Sequence, residues 1–223
     1  MIRRDYILRM LAKFFEVLSR IRALKQGENW DQANQLTNQQ FERLLGLDAS
    51  ALVRLSDTEL LAHVIRSEST LAVREKTLIV ATLLKEAGDV AGAQGLEDQS
   101  QAYHLKGLHL LLGVLAHEDV SDCPEIVPRV DAFLAGLDGA TIPFATQGLL
   151  MEHFERTGEF AKAEDRLFSM LHEAPHQPEL INFGLSFYRR LQAQSDDALL
   201  MGNLPRTELE AGLAELKSNQ PHA

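Results

Sequence analysis

The chain has 223 residues, 45% of them hydrophobic, which is enough apolar material for a continuous core and excludes a disordered chain. Its formal net charge of −10 argues against a general nucleic-acid binder, because phosphate recognition needs clustered Lys and Arg. Cys123 is the single cysteine, so an intrachain disulfide is excluded, no structural zinc site is suggested, and a reducing cytoplasm is the expected compartment.

The charge is unevenly spread. Residues 1–25 carry Arg3, Arg4, Arg9, Lys13, Arg20, Arg22 and Lys25 against Asp5 and Glu16, a net of +5 that leaves −15 for the rest of the chain. The same residues place Tyr6, Met10, Phe14, Val17, Leu18, Ile21 and Leu24 at three- and four-residue steps, which predicts one long amphipathic helix. Its charged positions break up any secretory apolar core. The most apolar run, Leu108 to Ala116, is far shorter than the roughly 20 residues that cross a bilayer, so no transmembrane segment is expected.

Gly27 is expected to end the first helix, and Trp30, Ala33, Phe41 and Leu44 line a second from about Asn29 to Leu45. Gly46 to Leu55 reads as a connector with a short helical turn. Ser56-Asp57-Thr58-Glu59 then forms a capping box that opens a helix to about Arg66. A helix from about Thr70 to Ala87 precedes Gly88-Asp89-Val90-Ala91-Gly92-Ala93, read as a turn followed by the next helix. Tyr103 to Ala116 predicts a helix, and Asp122-Cys123-Pro124 opens another, to about Leu137.

Gln147 to Pro175 carries the clearest pattern. Leu150 and Phe154 share a face; Thr157-Gly158-Glu159 breaks the chain; and Phe160, Ala163, Leu167 and Met170 make the next stripe. Gly158 suits the left-handed conformation that ends a helix, and Pro175 closes the second one. Val90-x-x-Ala93 after Gly88 repeats Phe160-x-x-Ala163 after Gly158, so Gly88 and Gly158 are read as two copies of one interhelical turn, with Ala93 and Ala163 buried at the crossings. Glu179 to Ala193 is a heavily apolar helix, Gly202-Asn203-Leu204-Pro205 turns the chain, and Thr207 to Glu210 offers a capping box for a last helix to about Lys217.

The spacing at 150–175, and more weakly at 80–93, resembles a tetratricopeptide repeat. Together with the opening MIRRDYILRMLAKFFEVLSRIRALK and the ending MGNLPRTELEAGLAEL, it resembles a family of uncharacterised bacterial proteins with tetratricopeptide-like folds. The resemblance implies a cytosolic, adaptor-like protein and transfers no active residue. The expected architecture is therefore all-α: about 10–11 helices stacked as antiparallel hairpins in a single elongated domain over 1–223. The clearest repeats fall at about 70–101 and 143–175, with capping helices at 177–217.

No residue pattern compels chemistry. His172-x3-His176 has zinc-helix spacing but is interrupted by Pro175, and His117, Glu118, Asp119, Asp122 and Cys123 mix hard and soft donors without a motif. No catalytic, cofactor-binding or metal-binding residue is assigned. The leading expectation is a non-enzymatic interaction scaffold for a protein or peptide partner, with Arg3, Arg4, Arg9 and Lys13 as a candidate interaction surface. Two alternatives stand beside it: an enzyme whose site is dispersed over several helices, with His104, His109, Glu152 and His153 as candidates, and a peripheral membrane protein attached by helix 2–25. Pairing of that helix with the acidic remainder of another copy would give a homo-oligomer.

Overall fold

A computed structural model describes residues 2–66, 68, 70–117, 124–175 and 177–218. The side chains of residues 2–5 and 70–71 lie outside the description, as do residues 118–123 and His176, which carry part of both candidate ligand clusters. Among the described residues the fold is all-helical, with twelve α-helices, one 3-10 turn and no strand. The chain divides into two compact units, residues 1–142 and 143–223.

The first unit contains α1 (Ile2–Gln26), α2 (Trp30–Leu45), α3 (Ala49–Arg54), α4 (Asp57–Ile65), α5 (Thr70–Ala93), α6 (Glu97–Leu115) and α7 (Val130–Leu134), the last running into the 3-10 turn Ala135–Leu137. Its centre is α5. From Lys76 to Leu84 every residue is buried, a helix apolar on nearly all sides because α1, α2, α4 and α6 all pack on it. Phe14, Val17, Leu18 and Ile21 of α1, Phe41 of α2 and Leu108, Leu111 and Leu115 of α6 complete the core. The Ser56 and Glu59 capping box is formed at the start of α4, satisfying backbone donors at both positions.

Two sequence expectations fail in this unit. The turn at Gly88 does not exist: α5 runs through it to Ala93, and the left-handed glycine that ends the helix is Gly95, with φ +74°. The Leu96 N–H there bonds back to the Ala91 carbonyl at 2.9 Å. Ala93 consequently lies at the exposed end of α5 rather than at a buried crossing. The helix expected from Pro124 begins only at Val130. Pro128 disfavours helical backbone at the residue before it and offers no N–H of its own, so the chain stays irregular until Arg129.

The second unit contains α8 (Phe144–Thr157), α9 (Phe160–Glu173), α10 (Pro178–Gln192), α11 (Asp196–Met201) and α12 (Arg206–Ser218). Here Gly158 ends α8 in the left-handed region with φ +79°, and the Glu159 N–H returns to the Phe154 carbonyl at 2.8 Å. Leu150 and Phe154 of α8 and Phe160, Ala163, Leu167 and Met170 of α9 are buried. The short α11 is unanticipated; Ser195 caps it by accepting from the Ala198 N–H. Its successor α12 starts at Arg206, so Thr207 sits inside the first turn rather than ahead of it.

Candidate functional site

The densest polar construction lies in the first unit, where α1, α5 and α6 meet. Helical periodicity groups the charged residues: Arg22 and Lys25 share the last turns of α1, Lys85, Glu86 and Asp89 share one stretch of α5, and Ser100 and His104 stand one turn apart on α6. Packing these faces together produces a charge network. Arg22 Nε donates to Glu86 Oε1 at 2.9 Å, and Lys25 Nζ bonds to Glu86 Oε2. Lys25 also bonds to Asp89 Oδ2 at 2.5 Å, an oxygen that Lys85 reaches at 2.6 Å. Glu86 is almost completely buried, and each of its two oxygens is met by one of these cations.

His104 closes the network from α6. Its Nδ1 lies 2.8 Å from the Ser100 carbonyl, and its Nε2 lies 3.3 Å from Asp89 Oδ1. The Ser100 hydroxyl donates to the Gly88 carbonyl at 2.8 Å. The ring is buried, edge-on to Phe133, and is seated between two glycines: a methyl group at either Gly88 or Gly136 would collide with it. Gly88 is thus required, but for space in the middle of a helix. Burial opposes ionisation of Asp89, yet the contacts with His104, Lys25 and Lys85 outweigh it and hold the carboxyl well below the usual range.

The arrangement cross-braces three helices. Sequence reasoning missed Lys25 and Glu86 because they lie 61 residues apart on different helices, and missed the contact of Asp89 with Lys25 for the same reason; the Lys85–Asp89 pair, one turn apart on α5, is the part that local spacing makes visible. The other residues considered for a dispersed site have surroundings of their own. His109 Nδ1 lies 3.7 Å from Asp57 Oδ2, and Lys106 bonds the same carboxylate. His153 is buried in α8 and Glu152 is exposed, both in the second unit. Among the described residues no group of three or more His, Cys, Asp or Glu is placed to hold a metal ion.

The proposed interaction residues lie on α1, which divides along its length. Its second half is packed by Phe14, Val17, Leu18 and Ile21. Between residues 8 and 15, Leu8, Ala12 and Phe15 follow one stripe and all are exposed, Leu8 by 56% and Phe15 by 38%, next to the exposed Arg9 and Lys13. The backbone at Arg3 and Arg4 continues this helix, while their side chains are outside the described set. Of the residues assigned to repeat turns, Phe154, Gly158, Phe160 and Ala163 form one hairpin joint. Gly88, Val90 and Ala93 do not, since they lie in the uninterrupted last turns of α5, with Val90 buried and Ala93 exposed.

Fold and site together define an all-helical protein with a charge-braced core and an amphipathic helix half outside it, and among the described residues no helix is long and apolar enough to cross a membrane. The chain belongs to a protein family of unknown function, DUF6483, whose family model matches residues 1–220. No curated protein and no solved structure matches it.

Proposed function

We propose that the protein is a non-enzymatic, cytoplasmic interaction scaffold of tetratricopeptide-like hairpins that presents the first half of α1 to an acidic protein partner. The observation that carries this reading is the exposed stripe of Leu8, Ala12 and Phe15 beside Arg9 and Lys13. Apolar side chains left in water on a surface helix favour burial by a second surface, and the positive charge of Arg9 and Lys13 beside them selects an acidic one. The hairpins α5–α6 and α8–α9 support the repeat-like part of the reading, and the resemblance of the sequence to bacterial helical-repeat proteins supports the adaptor role and the compartment.

Crosslinking in the native cell followed by mass spectrometry tests it. Crosslinks to an acidic protein should map to residues 8–20 and should be lost in the double variant Leu8→Ser, Phe15→Ser. Recovery of the protein alone, or crosslinks that ignore the double variant, would overturn the proposal. Binding of the purified chain to anionic vesicles, weakening as salt rises, would instead favour attachment to a membrane surface.

A further inference from the structure

A second polar feature of the first unit stands apart from the charge network and from the exposed face of α1. Asn34, Asn38 and Glu42 repeat at four-residue steps along α2 and so form one stripe. Asp48 at the start of α3 and Gln99 and Tyr103 on α6 face the same cavity, of about 310 Å³. Part of this wall is committed to the fold. Asn38 accepts from the Ala49 N–H at 3.0 Å and donates to Asn34 Oδ1 at 3.2 Å, which fixes both amides; Asp48 Oδ1 accepts from the Ala51 N–H at 2.7 Å and from the Ser50 hydroxyl at 2.8 Å.

What remains uncommitted among the described residues is a set of acceptors with two donors. The acceptors are the Glu42 carboxylate, Asp48 Oδ2 and the Gln99 carbonyl oxygen. The donors are the Asn34 amide and the Tyr103 hydroxyl, which accepts from Gln99 Nε2 at 2.9 Å and keeps its own proton to give. Tyr103 is only 4% exposed, so a hydroxyl proton left without an acceptor there costs stability unless a ligand or solvent takes it. Hydrogen bonds from the Ala51 backbone and from Ser50 hold the Asp48 carboxyl below its ordinary range, and Asp48 and Glu42 border a cavity that has no Lys, Arg or His in its wall.

We infer that this cavity binds a small primary amine carrying a hydroxyl or carbonyl oxygen close to its ammonium group. The three N–H bonds of an ammonium match the three acceptors on Glu42, Asp48 and Gln99. The neighbouring oxygen accepts from Tyr103 and Asn34. The amine is held by charge and the oxygen by geometry, so the site discriminates against a neutral polyol of the same shape.

The test is a titration of the full-length, ¹⁵N-labelled chain followed by NMR, with glucosamine and serinamide as the two probes and glucose as the uncharged control. The two amines separate a sugar from an amino-acid source of the same chemistry. Saturable shifts at the Asn34 and Gln99 side-chain amides and at the backbone of residues 48–51 are expected with at least one amine, and none with glucose. Glu42→Gln, at an exposed position, should weaken that binding tenfold or more, and Tyr103→Phe by several-fold. Absence of saturable shifts with both amines overturns the inference, as does equal binding of glucose, an unchanged Glu42→Gln, or saturation by calcium ions in place of the amines.

Discussion

Residues 88–93 and 158–163 are near copies in sequence and opposites in structure. Both read glycine, acid, apolar, two intervening residues, alanine. In the second unit the glycine adopts φ +79° and ends α8, and the alanine is buried where α9 crosses it. In the first unit the glycine stays helical, α5 continues for another turn and a half, and the alanine faces solvent. The difference lies in what each glycine lacks a side chain for. A methyl at Gly158 would meet nothing within 4 Å, so only its φ demands glycine; a methyl at Gly88 would strike the His104 ring, so only its space does.

The largest contrast is expected at the two alanines. Ala163→Glu places an unpaired charge in a closed helix crossing and should cost about 3–5 kcal/mol, whereas Ala93→Glu should stay within about 0.5 kcal/mol of the parent. Urea unfolding of both variants measures this, and equal effects would erase the distinction between the copies. Next, Gly88→Val should cost about 2–3 kcal/mol by displacing His104 and adding a β-branched residue to a packed helix. Its ¹H–¹⁵N spectrum should show the loss concentrated around residues 100–104 and 133–136.

The acids that follow the motif positions sharpen the contrast through pH. Asp89 has a depressed pKa, so its stabilisation is fully present above the unfolded-state value of about 3.9 and is lost as pH falls through the lower folded value. Asp89→Asn should therefore destabilise by about 1–2 kcal/mol at pH 7, with the deficit shrinking below about pH 4. Glu164 behaves in the opposite sense. Burial raises its pKa, Asp165, Glu208 and Glu215 add to the rise, and the Tyr188 hydroxyl, 2.5 Å from Oε1, only partly opposes it. Its favourable contribution is complete below the ordinary glutamate range and is lost as pH rises through the raised value. Glu164→Gln, which keeps an acceptor for Tyr188, should be neutral at acidic pH and more stable than the parent at pH 7. Thermal melts across pH 3–8 decide both signs. The smallest step is Asn at Gly158, which should cost less than about 1 kcal/mol in urea unfolding because Asn tolerates the left-handed region, against roughly 1–2 kcal/mol for Val.

These pairs also show how far the sequence could be read. Helical periodicity located most elements, and the Ser56 capping box and the Gly158 turn were legible because each is decided by residues within one or two turns of chain. Gly88 was misread because its reason lies on α6 and on the 3-10 turn that carries Gly136. The shortened α7 was legible in Pro128 once the rule for the preceding residue is applied. The polar cavity was half legible: the Asn34, Asn38 and Glu42 stripe is plain in α2, but only packing against α6 adds Gln99 and Tyr103. The Arg9 and Lys13 face was read as charge, while the exposure of Leu8 and Phe15 that makes it a surface for a partner required the fold.

The ion pairs that fasten α1 to α5 have a consequence for synthesis. Lys25 and its partner Glu86 are 61 residues apart in the chain, and Arg22 and Glu86 are 64. At the usual elongation rate of about 5–20 residues per second, the end of α1 leaves the ribosome roughly 3–12 seconds before Glu86 follows it. During that interval its cations are unpaired and the apolar face that later docks on α5 has only α2 to cover it. A nascent chain with about 50 residues outside the ribosome should therefore be the form of this protein most readily held by a chaperone, and one that has emerged past α5 and α6 should be released.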